Sequence, residues 1–231
     1  MTPRGNEKKS LTVGVIGSGR FGTSVAAAFS SIGAQVALVS LVRGSRAVYL
    51  PGAGVRLRTT TIQDPVLSME VVVFAFAWKA RDCLWRLKPA GDPIVIDATN
   101  PTFGQSYKRP AALDTSSGAS SRALARMLPG LRIVKALNTV SYLTLLEVAA
   151  GAMSRRVLVP VSGEDPQARG CVIRILRAIQ CDGIDCGTLA EGARLHEPGG
   201  PLFSDCLVHD EIEPVLRARD AGAQRFAKID T

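Results

Sequence analysis

Hydrophobic residues fall in short blocks along this chain, and the stretches between the blocks carry small or apolar residues at helical spacing. Blocks rich in β-branched residues predict strands, whereas a 3.6-residue spacing closed by glycine predicts helices. Alternation of the two is typical of parallel strands joined by crossover helices. The predicted strands span 11–17, 34–40, 55–58, 70–77, 93–99, 131–137, 155–163 and 183–187.

Helical patterns fill the intervals between these strands and continue past the last one. Helices are predicted over 21–32, from about Asp64, and over 122–128, 142–149 and 164–179. The segment between Asn100 and Arg122 is rich in Pro, Gly, Ser and Thr, which is typical of a functional loop such as a lid. We expect a disordered tail at 1–10, one doubly wound, mostly parallel Rossmann-type α/β domain at 11–204, and a small C-terminal helix or tail at 205–231.

Composition narrows the class of protein. The chain has 231 residues, of which 46% are hydrophobic and 21% charged, so it can bury a core and is not broadly disordered. Its longest apolar runs fall far short of the roughly 20 residues that cross a bilayer, and the first ten residues lack the apolar centre of a secretory signal. Five cysteines without a CxxC pair favour reduced thiols, and two histidines give a zinc site little to be built from. We expect a cytoplasmic protein without a metal centre.

The net charge of +8 is unevenly distributed. No acidic residue lies between Glu7 and Asp64, whereas that interval contains seven lysines and arginines. A basic segment can attract nucleic acid, a membrane surface or an anionic cofactor. Because this segment coincides with the first two predicted strands and their connecting turn, we expect it to serve an anionic cofactor.

A GxGxxG motif occupies Gly17 to Gly22, directly after the first predicted strand and at the start of a helix. In this context Gly17 permits a tight turn, Gly19 lets a pyrophosphate approach the backbone, and Gly22 lets helix and strand pack closely. The N-terminus of the helix supplies N–H donors to the anion. The motif therefore predicts a dinucleotide site.

The end of the second predicted strand indicates which dinucleotide binds. A site for NAD carries an acidic residue about 20 residues after the glycine motif, and this chain has none there. Instead Ser40 is followed by Arg43, Ser45 and Arg46, a set of hydroxyl and guanidinium groups suited to a 2′-phosphate. We therefore expect NADP.

Four segments in order resemble the deazaflavin-dependent NADP oxidoreductases, whose module is similar to the cytoplasmic NADPH-binding domain of the six-transmembrane metalloreductases. A further likeness covers 187–203, so that the resemblance extends from about residue 11 to residue 203. Two positions differ from the family pattern, because Leu137 stands in place of an aromatic residue and Leu41 in place of an arginine. The four segments are VGVIGSGRFG at 13–22, AFAW at 75–78, VIDATNP at 95–101 and VKALNTV at 134–140.

The resemblance implies that NADPH lies across the strand ends, with a flavin or deazaflavin ring facing its nicotinamide. The acceptor would be deazaflavin, FMN or FAD, and hydride would pass between the two rings. It assigns the pyrophosphate to Ser18, Gly19, Arg20 and Phe21, and the 2′-phosphate to Ser40 and Arg43; Gly17 and Gly22 of the motif and Arg46 of the loop are expected to bind the cofactor as well. It assigns the nicotinamide ribose side to Ala75, Phe76, Ala77 and Trp78, and the acceptor side to Asn100, Pro101, Ala136 and Asn138. We also expect Leu137 to contact the acceptor, and Asn100 and Ala136 to contact the cofactor.

Hydride transfer between two rings depends on their alignment more than on an acid/base pair, and the sequence shows no evident pair. We interpret His196 as a surface residue, Trp78 as a packing residue or ring shelf, and Cys181 and Cys186 as buried small hydrophobes. We expect a homodimeric oxidoreductase whose partner is a small-molecule hydride acceptor. Two alternatives stay open: an NADP-binding sensor or electron-feeding module without its own turnover, and a reductase of a small imine or unsaturated substrate.

The interpretation of Arg43 predicts a cofactor-specific loss. Replacing Arg43 with Ala should weaken NADPH binding by about 1.5–3 kcal/mol, because a charge-assisted contact to the 2′-phosphate disappears. NADH lacks that phosphate and should bind with unchanged affinity. Dissociation constants measured by fluorescence titration check this, and equal losses for the two cofactors would contradict the assignment.

Overall fold

The computed structural model describes residues 10–41, 58–61, 68–86, 91–101, 119–203, 207–208 and 212–227. Several predictions lie outside these residues, namely the helix expected from about Asp64, most of the loop after Asn100, and the 2′-phosphate candidates Arg43, Ser45 and Arg46.

Nine strands in the described part of the chain form one twisted sheet. They are β1 (Thr12–Ile16), β2 (Gln35–Ser40), β3 (Arg58–Thr61), β4 (Val71–Phe74), β5 (Ile94–Asp97), β6 (Arg132–Lys135), β7 (Val157–Gly163), β8 (Cys181–Asp185) and β9 (Leu207–Val208). The order across the sheet is β3-β2-β1-β4-β5-β6-β7-β8, and β9 pairs with β7. Pairing is parallel from β3 to β6 and between β7 and β8, whereas β7 runs antiparallel to β6 and β9.

Helices cover both faces of this sheet. They are α1 (Arg20–Ser31), a 3-10 helix (Trp78–Arg86), α2 (Ser120–Met127), α3 (Tyr142–Ala149), α4 (Pro166–Ala178), α5 (Ala193–His196) and α6 (Ile212–Ala227). Two of the starts have a clear local cause. The Ser141 hydroxyl accepts from the Thr144 N–H to cap α3, and the Asp165 carboxylate accepts from the Gln167 N–H before the proline that opens α4.

The core consists of two apolar layers that the alternating side chains of the central strands separate. Val13, Val15 and Val73 point into one layer, where they meet residues of α1, α3 and α4. Val72 and Phe74 point into the other layer, where they meet α2 and the 3-10 helix. Since successive strand residues face opposite sides of a sheet, an unbroken apolar strand buries both faces. The predicted doubly wound, mostly parallel Rossmann-type architecture is therefore confirmed.

Two predicted strands are displaced from their observed positions. The third described strand is Arg58–Thr61 rather than 55–58. The strand expected at 183–187 is Cys181–Asp185, with Gly183 in its interior. A Cβ at Gly183 would lie 2.7 Å from Ile173 Cγ1, so this glycine serves the close approach of α4 rather than the start of a strand.

A third apolar cluster contains the C-terminal helix. Val215 of α6 is buried with Leu158, Leu195 and Leu202, so the helix packs on the far end of the sheet. Cys186 belongs to the same cluster, and burial raises the pKa of its thiol to about 12. Cys181 is also buried, so both cysteines are the small hydrophobes that the sequence predicts. None of the helices in the described ranges is long and apolar enough to span a membrane.

Candidate functional site

The ends of β1 and β4 form the centre of the site, because the strand order reverses between them. From β1 the chain continues to β2 and β3 on one side, while β4, β5 and β6 lie on the other. In open α/β sheets such a reversal creates a crevice at the carboxyl ends of the strands, where ligands bind. Sequence segments far apart in the chain therefore meet at one edge: the glycine loop, Ser40, 75–78, Asn100 and 136–138.

The glycine loop passes between the end of β4 and the start of α1 with no room for side chains at two positions. Gly17 has a φ of 122°, and a Cβ there would collide with the Ala75 carbonyl. A Cβ at Gly22 would collide with the Gly17 carbonyl. Both glycines are thus required by the packing of the loop itself.

Gly19 differs from its two neighbours because open space surrounds it. No atom lies within 4 Å of a Cβ built on Gly19, although the residue directly precedes α1. No side chain caps that helix and no acidic residue lies in its first turn, which leaves its N-terminal end suited to an anion. This cradle fits the pyrophosphate of a dinucleotide.

Ser18 joins the glycine loop to the end of the second strand. Its hydroxyl donates to the Ser40 hydroxyl at 3.0 Å, and Ser40 is 9% exposed. Arg20 and Phe21 follow at the start of α1, where the Arg20 guanidinium lies 5.9 Å from the centre of the Tyr142 ring. The structure therefore brings Ser18 and Ser40 together, as the proposed ribose and phosphate contacts require.

The segment after β4 presents mainly backbone to the edge. Ala75, Phe76 and Trp78 are buried, and of the four candidates in this segment only Ala77 is exposed. Trp78 packs in the apolar layer that contains Phe76, and the Arg81 guanidinium lies 5.2 Å from the centre of its ring. Trp78 is accordingly a packing residue.

On the other side of the crevice, two asparagines and a histidine form a chain of hydrogen bonds. Asn100 Nδ2 donates to the Asn138 carbonyl at 2.8 Å, and Asn138 Nδ2 donates to Asn100 Oδ1 at 3.0 Å. Asn138 Nδ2 also donates to the His196 carbonyl at 2.6 Å, and His196 Nδ1 lies 2.9 Å from Asn138 Oδ1. His196 Nε2 lies 2.9 Å from the Ser162 hydroxyl. The chain runs from the half-buried Asn100 to a fully buried imidazole.

The interpretation of His196 as a surface residue is wrong, since its side chain is 0% exposed. Burial, together with the nearby positive charge of Lys135, holds the pKa of His196 well below 6.5. The ring is therefore neutral at physiological pH. The sequence gives no hint of these contacts of His196 or of its neighbour Glu197, because the side-chain partners of both residues lie 34 or more positions away.

Lys135 anchors a second polar network directly behind these asparagines. Its ammonium group is fully buried and lies 3.3 Å from the Asp97 carboxylate and 3.5 Å from the Glu197 carboxylate. It also donates to the Thr99 carbonyl at 3.0 Å. The Glu197 carboxylate accepts from both the N–H and the hydroxyl of Ser120, at the start of α2. Sequence reasoning missed this network, whose only signal was a charged residue inside the apolar runs at Asp97 and Lys135.

The prediction that Leu137 lines the acceptor side is not supported by its position. Leu137 has a φ of 65°, and its side chain is 0% exposed within the core layer that contains Val140 and Leu145. Ala136 and Pro101 are buried as well. The open polar group at this end of the crevice is therefore the Asn100 amide, backed by Asn138.

Comparisons with known proteins agree with this geometry. Residues 12–101 match the family described as NADP oxidoreductase, coenzyme F420-dependent. A hypothetical protein of Sinorhizobium meliloti has a similar structure, with a TM-score of 0.70, 23% identity, and coverage of 87% of this chain and 96% of that one. A proposed F420-dependent NADP-reductase of Arthrobacter sp. FB24 has a TM-score of 0.62 and 24% identity, with coverage of 78% of this chain and 86% of that one. For glycerol-3-phosphate dehydrogenase of Coxiella burnetii the TM-score is 0.56 and the identity 15%, with coverage of 76% of this chain and 54% of that one. No curated protein sequence matches the chain significantly.

The strand order and the crevice define a Rossmann-type fold, which the chain shares with the glycerol-3-phosphate dehydrogenase structure. Residues 12–101 match the family model of the F420-dependent NADP oxidoreductases, which confirms the resemblance over that part of the chain and supports NAD(P)-dependent oxidoreduction.

The contrast between Gly19 and Gly22 predicts two different failures. Gly19→Val should fold, because the space around Gly19 is open, but should abolish NADPH binding by filling the pyrophosphate cradle. Gly22→Val should lose about 3 kcal/mol or more of unfolding free energy, because its side chain meets the backbone of Gly17. Urea unfolding and NADPH titration of both variants check this. A folded Gly19→Val variant that keeps its NADPH affinity would refute the cradle.

The buried imidazole predicts acid sensitivity. Below about pH 6.5 the unfolded chain protonates His196 while the folded protein does not, so stability should fall as pH decreases. The contribution of this residue should approach about 1.4 kcal/mol per pH unit. His196→Asn carries no titrating ring and should show a shallower decline than the wild type in urea unfolding between about pH 7 and pH 5. Parallel declines in the two proteins would contradict a neutral buried ring.

Proposed function

We propose that the protein is an NADPH-dependent oxidoreductase that transfers hydride between NADP(H) and a flavin or deazaflavin-type ring bound opposite the nicotinamide. The observation that carries the proposal is the crevice itself. An uncapped helix N-terminus and an open glycine face one side of it, and an asparagine amide faces the other. Such an arrangement suits two planar ligands held side by side.

The cofactor side is assigned from the described contacts and from the sequence. The backbone around Gly19 would bind the pyrophosphate, and Ser40, held by Ser18, would bind the 2′-phosphate together with Arg43 and Arg46. Ala75 to Ala77 would support the nicotinamide end, where the exposed Ala77 leaves room for a flat ring. The family match to an NADP oxidoreductase supports this choice of cofactor.

The chemistry asks little of the protein beyond alignment. Bound NADPH supplies the hydride, and the described side chains at the crevice include the hydroxyls of Ser18 and Ser40, the methyl group of Ala77 and the amide of Asn100. His196 is fully buried and neutral, so it does not exchange protons with a bound ligand. Asn100 and Asn138 would orient the acceptor, and the apolar walls would exclude water from the reacting atoms.

Turnover with a panel of acceptors tests the proposal. The protein should oxidise NADPH when deazaflavin, FMN or FAD is added, with faster turnover than with a cyclic imine. Gly19→Val, which removes the cradle, serves as the matched inactive control. Stoichiometric NADPH binding without oxidation by any acceptor would favour the sensor, and turnover with the imine alone would favour the small-substrate reductase.

A further inference from the structure

His196 binds both ends of the Asn138 amide, one through its imidazole and the other through its backbone carbonyl. Its Nδ1 lies 2.9 Å from Asn138 Oδ1, and the carbonyl of the same residue accepts from Asn138 Nδ2 at 2.6 Å. Because a carbonyl can only accept, Asn138 Nδ2 must be the donor there, and Oδ1 must face the imidazole. His196 is therefore protonated on Nδ1, and its Nε2 accepts from the Ser162 hydroxyl at 2.9 Å.

This fixed orientation passes to Asn100. Asn138 Nδ2 donates to Asn100 Oδ1, and Asn100 Nδ2 donates to the Asn138 carbonyl. These two bonds use one of the two N–H groups of Asn100 and one of the two lone pairs on its oxygen. Among the described contacts, one N–H and one oxygen lone pair of Asn100 are left at the half-buried end of the chain. An amide N–H can donate to a carbonyl oxygen and an amide oxygen can accept from an N–H, which are the polar groups of a carboxamide or a cyclic imide.

The backbone that carries His196 is itself held firmly. Its neighbour Glu197 accepts from the Ser120 N–H at 2.8 Å and lies 3.5 Å from the buried Lys135 ammonium. The consecutive residues His196 and Glu197 thus contact Asn138 and Lys135, which lie just after β6 and at its last position. The backbone of His196, whose carbonyl binds Asn138, is therefore held on both sides.

We propose that His196 is a positioning residue which, through Asn138, fixes the Asn100 amide so that it recognises the carboxamide or imide edge of a ligand ring. The proposal rests on the proposed function. Two ligands carry this chemistry, the nicotinamide of NADPH and the pyrimidinedione of a flavin or deazaflavin. If His196→Gln weakens NADPH binding, the ring that Asn100 recognises is the nicotinamide. If it raises the Michaelis constant of the acceptor, the ring is the pyrimidinedione.

Two amide replacements of the same residue separate positioning from packing. His196→Asn places an N–H near the position of Nδ1 and should retain kcat/KM for the acceptor within about threefold. His196→Gln reaches the position of Nε2 but leaves Asn138 Oδ1 without its donor, so it should lose about tenfold or more, because a buried acceptor without a partner is costly. Thermal unfolding confirms that both variants are folded. Equal losses in the two variants, or no loss in either, would overturn the proposal.

The route through Asn100 is tested by a double-mutant cycle. In an Asn100→Ala background, His196→Gln should cause little further loss, because the group that it positions is already absent. Independent, additive losses would show that His196 acts only on general stability and would overturn the proposal.

A readout without turnover separates this inference from the proposed function. Nitrogen-15 NMR of the wild-type protein should show the His196 ring protonated on Nδ1, and His196→Gln should alter the side-chain amide signals of Asn138 and Asn100. If no acceptor is reduced while these signals behave as expected, the proposed function fails and the positioning role stands. A ring protonated on Nε2 would refute the positioning role whatever the turnover.

Discussion

The burial of one ammonium group constrains the side of the crevice that carries Asn100 and Asn138. Lys135 ends β6 with its side chain fully buried, and it needs both Asp97 from β5 and Glu197 from beyond α5 to offset its lost hydration. Glu197 in turn caps the start of α2 through Ser120. Two strands and two helices are therefore tied to a single charge, and breaking such a buried pair costs about 3–5 kcal/mol. The Asn100 and Asn138 amides lie next to this buried ion-pair network.

The side of the crevice that the glycine loop forms depends on a different constraint, the absence of side chains. Gly17 and Gly22 allow the loop, the end of β4 and α1 to touch through their backbones, while Gly19 leaves space that the protein does not fill. One side of the crevice is thus rigid because it is packed without Cβ atoms, and the other because it is held by buried hydrogen bonds. Both suit a reaction whose rate depends on the alignment of two rings.

The parts of this structure that depend on local pattern could be predicted from the sequence. Apolar runs such as that of β4, and the strand and helix on either side of the glycine motif, have signatures within a few residues, and the structure confirms these elements. The burial of His196 could not be predicted, because it depends on Asn138 and Ser162, which only the tertiary fold brings near. Leu137 is expected to contact the acceptor because of its position in the family pattern. Its backbone is left-handed, however, and its side chain lies in the core.

The central claim is that the crevice aligns two rings for direct hydride transfer, and isotope tracing measures this most directly. The protein would be supplied with NADPH carrying deuterium at the transferable position of the nicotinamide, and with oxidised deazaflavin, whose reduced ring keeps the new C–H bond. Mass spectrometry should find the deuterium in the deazaflavin product, from only one of the two stereospecifically labelled forms of NADPH. Deazaflavin reduced without deuterium from either form, or NADPH consumed with no reduced deazaflavin, would contradict the account.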